Sequence, residues 1–198
     1  MIVLVSFVFT ISCSEFTPRL IKALDRTKVK SVSAGLLHSA FVDDKGTPYI
    51  FGEIAGGNLV GLKAGNGDQT FTECREVSHS TIIACGGYHI CVITRGGDLY
   101  TFGSNENGCL GVGYTSAIHF PERVEGPFLE LPVEKVSCGW KHTAAICGGS
   151  LFTWGWGGSH GTFSADGLSS GGQLVCSLLP IPLSLEERLP KLVLCLLR

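Results

Sequence analysis

Charge is the first scarcity. Asp, Glu, Lys and Arg make up 16% of the 198 residues, where an average globular chain has about 25%. Fifteen Lys and Arg stand against 17 Asp and Glu, for a net charge of −2. That excludes the basic excess of an electrostatic nucleic-acid binder, and no direct nucleic-acid partner is expected. The nine cysteines contain no Cys-x-x-Cys, so the close ligand pairs that usually announce a zinc site are missing, and no metal is expected. No apolar run reaches the roughly 20 residues of a membrane span. No Lys or Arg precedes the apolar opening, residues 1–13, so the basic start of a secretory leader is absent. The expectation is a cytoplasmic or nuclear protein, neither membrane-bound nor secreted.

Catalytic patterns are equally scarce. No carboxylate pair stands out for acid–base work, and no Ser or Cys is placed with a base and an orienting acid. Gly155-Trp156-Gly157-Gly158-Ser159-His160-Gly161 looks superficially like a phosphate-cradling loop, but His160 occupies the third glycine position and no helix pattern follows. These absences argue against an enzyme and against a cofactor.

What is present is an apolar, glycine-rich chain: 44% hydrophobic residues, mean hydropathy +0.30 and 27 glycines. Disorder is excluded, and short buried strands joined by tight turns are indicated. The glycines keep a rhythm. Segments 29–52, 80–103 and 133–155 align as copies of one pattern. Each contains Gly-x-x-His, at Gly35/His38, Gly86/His89 and Gly139/His142, and each closes on an aromatic-Gly pair ending in Gly52, Gly103 or Gly155. The pitch is 51 and then 53 residues.

Within each unit, one strand runs up to the Gly, carrying Val32, Ile83 or Val136 inward. A second starts at the His with alternating apolar residues (Ala40/Val42, Cys91/Ile93, Ala144/Ile146). A third carries Tyr49/Phe51, Tyr100/Phe102 or Phe152/Trp154. A fourth is expected near 121–124 in the second unit. Four short strands at a pitch near 50 residues is the arithmetic of a propeller blade. The recurring histidines read as structural residues that hydrogen-bond backbone at the strand start. The glycine before each fits a turn needing positive φ or a close backbone approach. Cys85 and Cys138 align with Ala34, which marks small buried sites rather than disulfide partners.

These residues, together with Asn105-Glu106-Asn107-Gly108-Cys109-Leu110-Gly111, resemble the regulator of chromosome condensation repeat family. Cys109 stands where that family has Gln. The resemblance covers 29–175 and implies an all-β fold: about three blades of a seven-bladed β-propeller, incomplete. The organisation read on this basis is 1–28, an apolar segment and the end of a preceding blade; 29–79, repeat 1; 80–132, repeat 2; 133–175, repeat 3 with a loop insertion; and 176–198, a non-repeat tail. Open flanks would favour self-association, and the chain reads as a fragment or mis-spliced product of a longer propeller.

The third unit takes 19 residues from Gly155 to Leu174, where the others take 7 to the matching leucine. Its extra loop offers Ser159, His160, Phe163 and Asp166 as candidate partner contacts. The resemblance implies a non-catalytic interaction module, with protein partners that include small GTPases of the Ran type and exchange-factor-like activity in an intact parent. An alternative is a plant ultraviolet-B receptor-like protein, since Gly139-Trp140-Lys141-His142-Thr143 is similar to that branch's light-absorbing motif. The matching positions here are Gly87 and Leu36, and Trp154 and Trp156 fall on another strand, so Trp140 stands apart. A truncated product without function is the remaining alternative.

Overall fold

The computed structural model describes residues 17–18, 20–21, 24–52, 72–156 and 177–182. Among these are twelve strands and no α-helix. They form three four-stranded antiparallel meanders. The first sheet holds β1 (Val29–Ala34), β2 (His38–Asp43), β3 (Pro48–Gly52) and β4 (Thr72–Glu73). The second holds β5 (Ser80–Cys85), β6 (His89–Thr94), β7 (Leu99–Gly103) and β8 (Ile118–Arg123). The third holds β9 (Val133–Cys138), β10 (His142–Cys147), β11 (Ser150–Gly155) and β12 (Ser177–Pro182). This is an incomplete β-propeller of three blades.

Register is the same in every sheet. His38, His89 and His142 each open the second strand and pair with Gly52, Gly103 and Gly155 at the end of the third. Those closing glycines have φ of 98°, 115° and 97°, a region that favours glycine. At Gly52 a Cβ would also lie 2.3 Å from the Leu37 carbonyl oxygen.

The apolar cores lie between blades. One cluster joins Ala40, Val42 and Ile50 of the first sheet to Ile83, Ile90, Val92 and Phe102 of the second. The other joins Cys91, Ile93 and Leu99 to Val133, Ala145, Phe152 and Trp154 of the third. Alternation along the strands explains this: one set of side chains faces the preceding blade and the other the following blade. Ser31 and Ser33 of β1 add polar links, accepting hydrogen bonds from the backbone N–H groups of Ile83 (3.4 Å) and Cys85 (2.9 Å).

Three expectations change here. Val32, read as inward, is 45% exposed because it faces away from the second blade, whereas its counterpart Ile83 is buried. Ala144 and Ile146 on the far side of the third blade are only half-buried, unlike Cys91 and Ile93. Finally, β12 falls in 176–198, which the sequence reading set outside the repeats. It pairs with β11 and is the fourth strand of the third blade. Its Pro180 and Pro182 sit on an edge strand, where a missing N–H is tolerated. The fourth strand expected near 121–124 is β8. No helix among the described residues is long and apolar enough to cross a membrane.

Candidate functional site

The Gly-x-x-His turns bring their variable residues to one end of the sheets. Each is closed by a hydrogen bond from the Gly N–H to the His carbonyl, at 2.7, 2.8 and 2.9 Å for Gly35, Gly86 and Gly139. None of these three glycines has positive φ; close approach is what excludes a side chain. A Cβ at Gly86 would lie 2.0 Å from the His89 ring and 2.7 Å from the Gly139 carbonyl oxygen. Adjacent turns are then stitched across blades: Leu36 N–H donates to Gly87 O (3.4 Å) and Gly87 N–H to Trp140 O (3.0 Å).

The stitching lines up Leu36, Gly87 and Trp140, the equivalent residues of the three turns. Leu36 is 55% and Trp140 60% exposed. Leu37 and Trp156 are exposed beside them. Trp156 is held there by its N–H, which donates to the Lys141 carbonyl at 2.9 Å. The Lys141 ammonium lies 5.5 Å from the centroids of both Trp140 and Trp156, within cation–π range. Trp156 therefore joins Trp140 at one site, although the sequence reading set it apart on another strand. The site is an apolar and aromatic rim with one cation at its third-blade end. Sequence reasoning singled out Trp140 and its equivalent Leu36 but missed Trp156 and Leu37, because only the folded turns bring Trp156 to Lys141 and leave Leu37 exposed beside Leu36.

The histidines behind the rim are buried or half-buried, but they are not equivalent. His89 Nε2 lies 3.0 Å from Thr143 Oγ1 in the next blade. Thr143 Oγ1 is in turn 2.8 Å from the Cys109 carbonyl oxygen, a contact that needs the hydroxyl proton between the two oxygens. Thr143 therefore accepts from His89 Nε2–H, which leaves Nδ1 with the lone pair. His38 sits at the same place in the first blade, but the residue aligned with Thr143 is Ile90. Both His38 ring nitrogens are buried without a hydrogen-bond partner. Burial, with a smaller effect of His89, pulls its pKa down to about 4. His142 is lowered by the same two causes in the same order. At His89 the expected bond from ring to backbone is thus replaced by a side-chain bond across blades.

The loop after β7 is organised by buried Asn105. Its Oδ1 accepts from Leu110 N–H (3.1 Å) and its Nδ2 donates to Tyr114 O (2.7 Å). The loop thereby offers the Cys109 carbonyl to two donors of the third blade, Thr143 Oγ1 and Trp154 Nε1 (2.9 Å). Since the backbone makes both contacts, Cys can stand at 109 in place of Gln. The loop candidates Ser159, His160, Phe163 and Asp166 lie outside the described residues.

Comparison with known proteins agrees with this architecture. Residues 96–146 match the family described as Regulator of chromosome condensation (RCC1) repeat, and 81–109 match a second description of the same repeat. The chain carries regulator of chromosome condensation repeats. It is 34% identical over 149 residues to the ultraviolet-B receptor UVR8 of Arabidopsis thaliana, spanning 72% of this chain and 32% of that protein. It is 33% identical over 172 residues to the secretion-regulating guanine nucleotide exchange factor of Mus musculus, spanning 83% of this chain and 34% of that one. The chain thus spans about a third of the length of these curated relatives. Among solved structures, Prp20p of Saccharomyces cerevisiae superposes with a TM-score of 0.67 at 19% identity, over 85% of this chain and 41% of that one. That likeness establishes the propeller fold.

Proposed function

We propose that the chain is a non-catalytic protein-interaction module that takes its partner on the rim at the Gly-x-x-His end. The observation that carries this is that Leu36, Leu37, Trp140 and Trp156 are exposed at one end of the stitched turns, with the Lys141 ammonium 5.5 Å from the centroids of both indoles. Exposed large apolar residues gathered on one surface mark interaction sites, and Trp is enriched among the residues that dominate binding energy. The relatives support a protein partner. One is named as a guanine nucleotide exchange factor, and Prp20p is described as binding Gsp1p and histones. A small GTPase of the Ran type is the first partner to test. Binding of the purified GTPase should weaken roughly 30-fold or more in Trp140→Ala, the size of a hot-spot loss of ~2 kcal/mol. Undiminished binding to that variant would remove the rim from the reading.

The second reading, an ultraviolet-B receptor-like protein, draws on the Trp140–Lys141–Trp156 arrangement and on the resemblance to the Arabidopsis receptor. Its distinguishing measurement is the oligomer distribution before and after illumination near ~300 nm, where indole absorption tails off. We expect no change, because Gly87 and Leu36 occupy the positions that match Trp140. Light-driven dissociation that disappears in Trp140→Phe would reverse the order of the two readings.

A further inference from the structure

Beneath the rim, between the second and third blades, three ligand-bearing side chains converge. One ligand atom each from His89, Cys91 and Cys138 lies within 4.8 Å of the other two. His89 and Cys91 are two residues apart on β6 and so share the face that looks toward the third blade. Cys138 comes from the end of β9. The first two are buried and Cys138 is half-buried. Position 138 follows the repeat, since Cys85 occupies it in the second blade. Cys91 does not, because the aligned residues in the other blades are Ala40 and Ala144. The equivalent place between the first and second blades therefore holds His38, Ala40 and Cys85, which is the same scaffold without the second sulfur. Neither cysteine is in a disulfide.

We propose that His89, Cys91 and Cys138 bind one thiophilic divalent cation of the zinc type at this inter-blade seam. Two thiols and an imidazole are the donor set such a cation prefers over oxygen-binding metals. Thr143 holds the Nε2 proton, which leaves Nδ1 as the ring nitrogen with a lone pair, and the same hydrogen bond fixes the ring in the manner of an outer-shell partner. Binding balances in charge. The cation displaces one proton from each thiol, and two thiolates with a dipositive ion and a neutral imidazole leave the site uncharged, as a buried position requires. The cation supplies three bonds that tie β6 to β9 and leaves its fourth position to a small exogenous ligand. Sequence reasoning missed the cluster because the two cysteines are 47 residues apart and only blade packing brings them together.

The test uses the full chain, reduced with a phosphine and titrated with Co2+, then with Zn2+ in competition. One equivalent of cobalt should bind and give the visible bands of a tetrahedral thiolate site, which Zn2+ then bleaches. Cys91→Ala and Cys138→Ala should each weaken binding at least tenfold. Both are built to keep the fold, since the first blade carries Ala40 and Ala34 at those places. Cys74→Ala, outside the cluster, should bind as the parent does. Failure of the folded parent to take up cobalt, or bands that survive in both alanine variants, would overturn the proposal.

Discussion

Replacing Gly86 by Ala tests the geometry behind the rim most directly. Nothing in its backbone angle forbids a side chain, so the usual glycine argument predicts little. The new methyl carbon, however, would stand 2.0 Å from His89 Cε1, 2.4 Å from Nδ1 and 2.7 Å from the Gly139 carbonyl oxygen. The ring cannot stay, and its bond to Thr143 goes with it. Overpacking costs about 1–3 kcal/mol, and a buried group stripped of its partner costs another ~1–3 kcal/mol, so a loss of about 2–6 kcal/mol is expected. For a chain of this size each kcal/mol is worth roughly 2–4 °C in Tm, which puts the fall between about 4 and 24 °C. Gly96→Ala is the internal comparison. It shares an ordinary backbone angle, and its nearest neighbour is the Asp98 carboxylate at 3.5 Å, so it should leave Tm unchanged or slightly higher. Thermal melts of the two variants beside the parent decide the matter. Equal melting temperatures for Gly86→Ala and Gly96→Ala would refute the ring-contact argument.

Stability should fall on acidification through the window set by His38. Its folded pKa of about 4 lies below the ordinary 6.5, so the unfolded chain takes up the proton first. The contribution is full above pH 6.5 and is lost progressively down to about pH 4, amounting to about 3 kcal/mol; urea titrations at several pH values should show that slope, and His38→Gln should flatten it. Thr143→Val keeps the shape of the residue but strands the His89 Nε2–H, and a loss of about 1–3 kcal/mol in denaturant titration is expected; a neutral result would mean that the His89–Thr143 bond contributes nothing net. The 198-residue chain should self-associate through its outer blade faces, where Val32, Ala144 and Ile146 lack the cover given to Ile83, Cys91 and Ile93; a sharp monomer in light scattering at micromolar concentration would refute this.

Much of the fold was legible because the repeat writes the same instruction three times. Gly-x-x-His, the alternation after it and the aromatic-Gly close located nine strands, and residues 121–124 hinted at β8. The strand β12 was hidden by the long spacing after Gly155 and by prolines, which read as interruption unless the strand is known to lie on an edge. Burial of Val32 was misjudged for a related reason. Periodicity reports which residues share a face, and whether anything covers that face depends on a neighbouring blade. The site was less legible than the fold. Trp140 stood out by type, but the exposure of Leu37 and the approach of Trp156 to Lys141 arise in the folded turns, and the meeting of His89 and Cys91 with Cys138 arises from contact between repeats. A pattern search within one repeat has no access to those.

The Cys109 carbonyl, which receives Thr143 and Trp154, has a consequence for how the chain opens and closes. The loop after β7 is completed by side chains of the third blade, so the second and third blades form one cooperative unit. Hydrogen exchange should report this. The Leu110 amide, bonded within its own loop to Asn105, should exchange when the third blade detaches even if every strand of the second remains paired. Order in the loop after β7 would then wait on the third blade, as nearest-neighbour coupling in a repeat array requires.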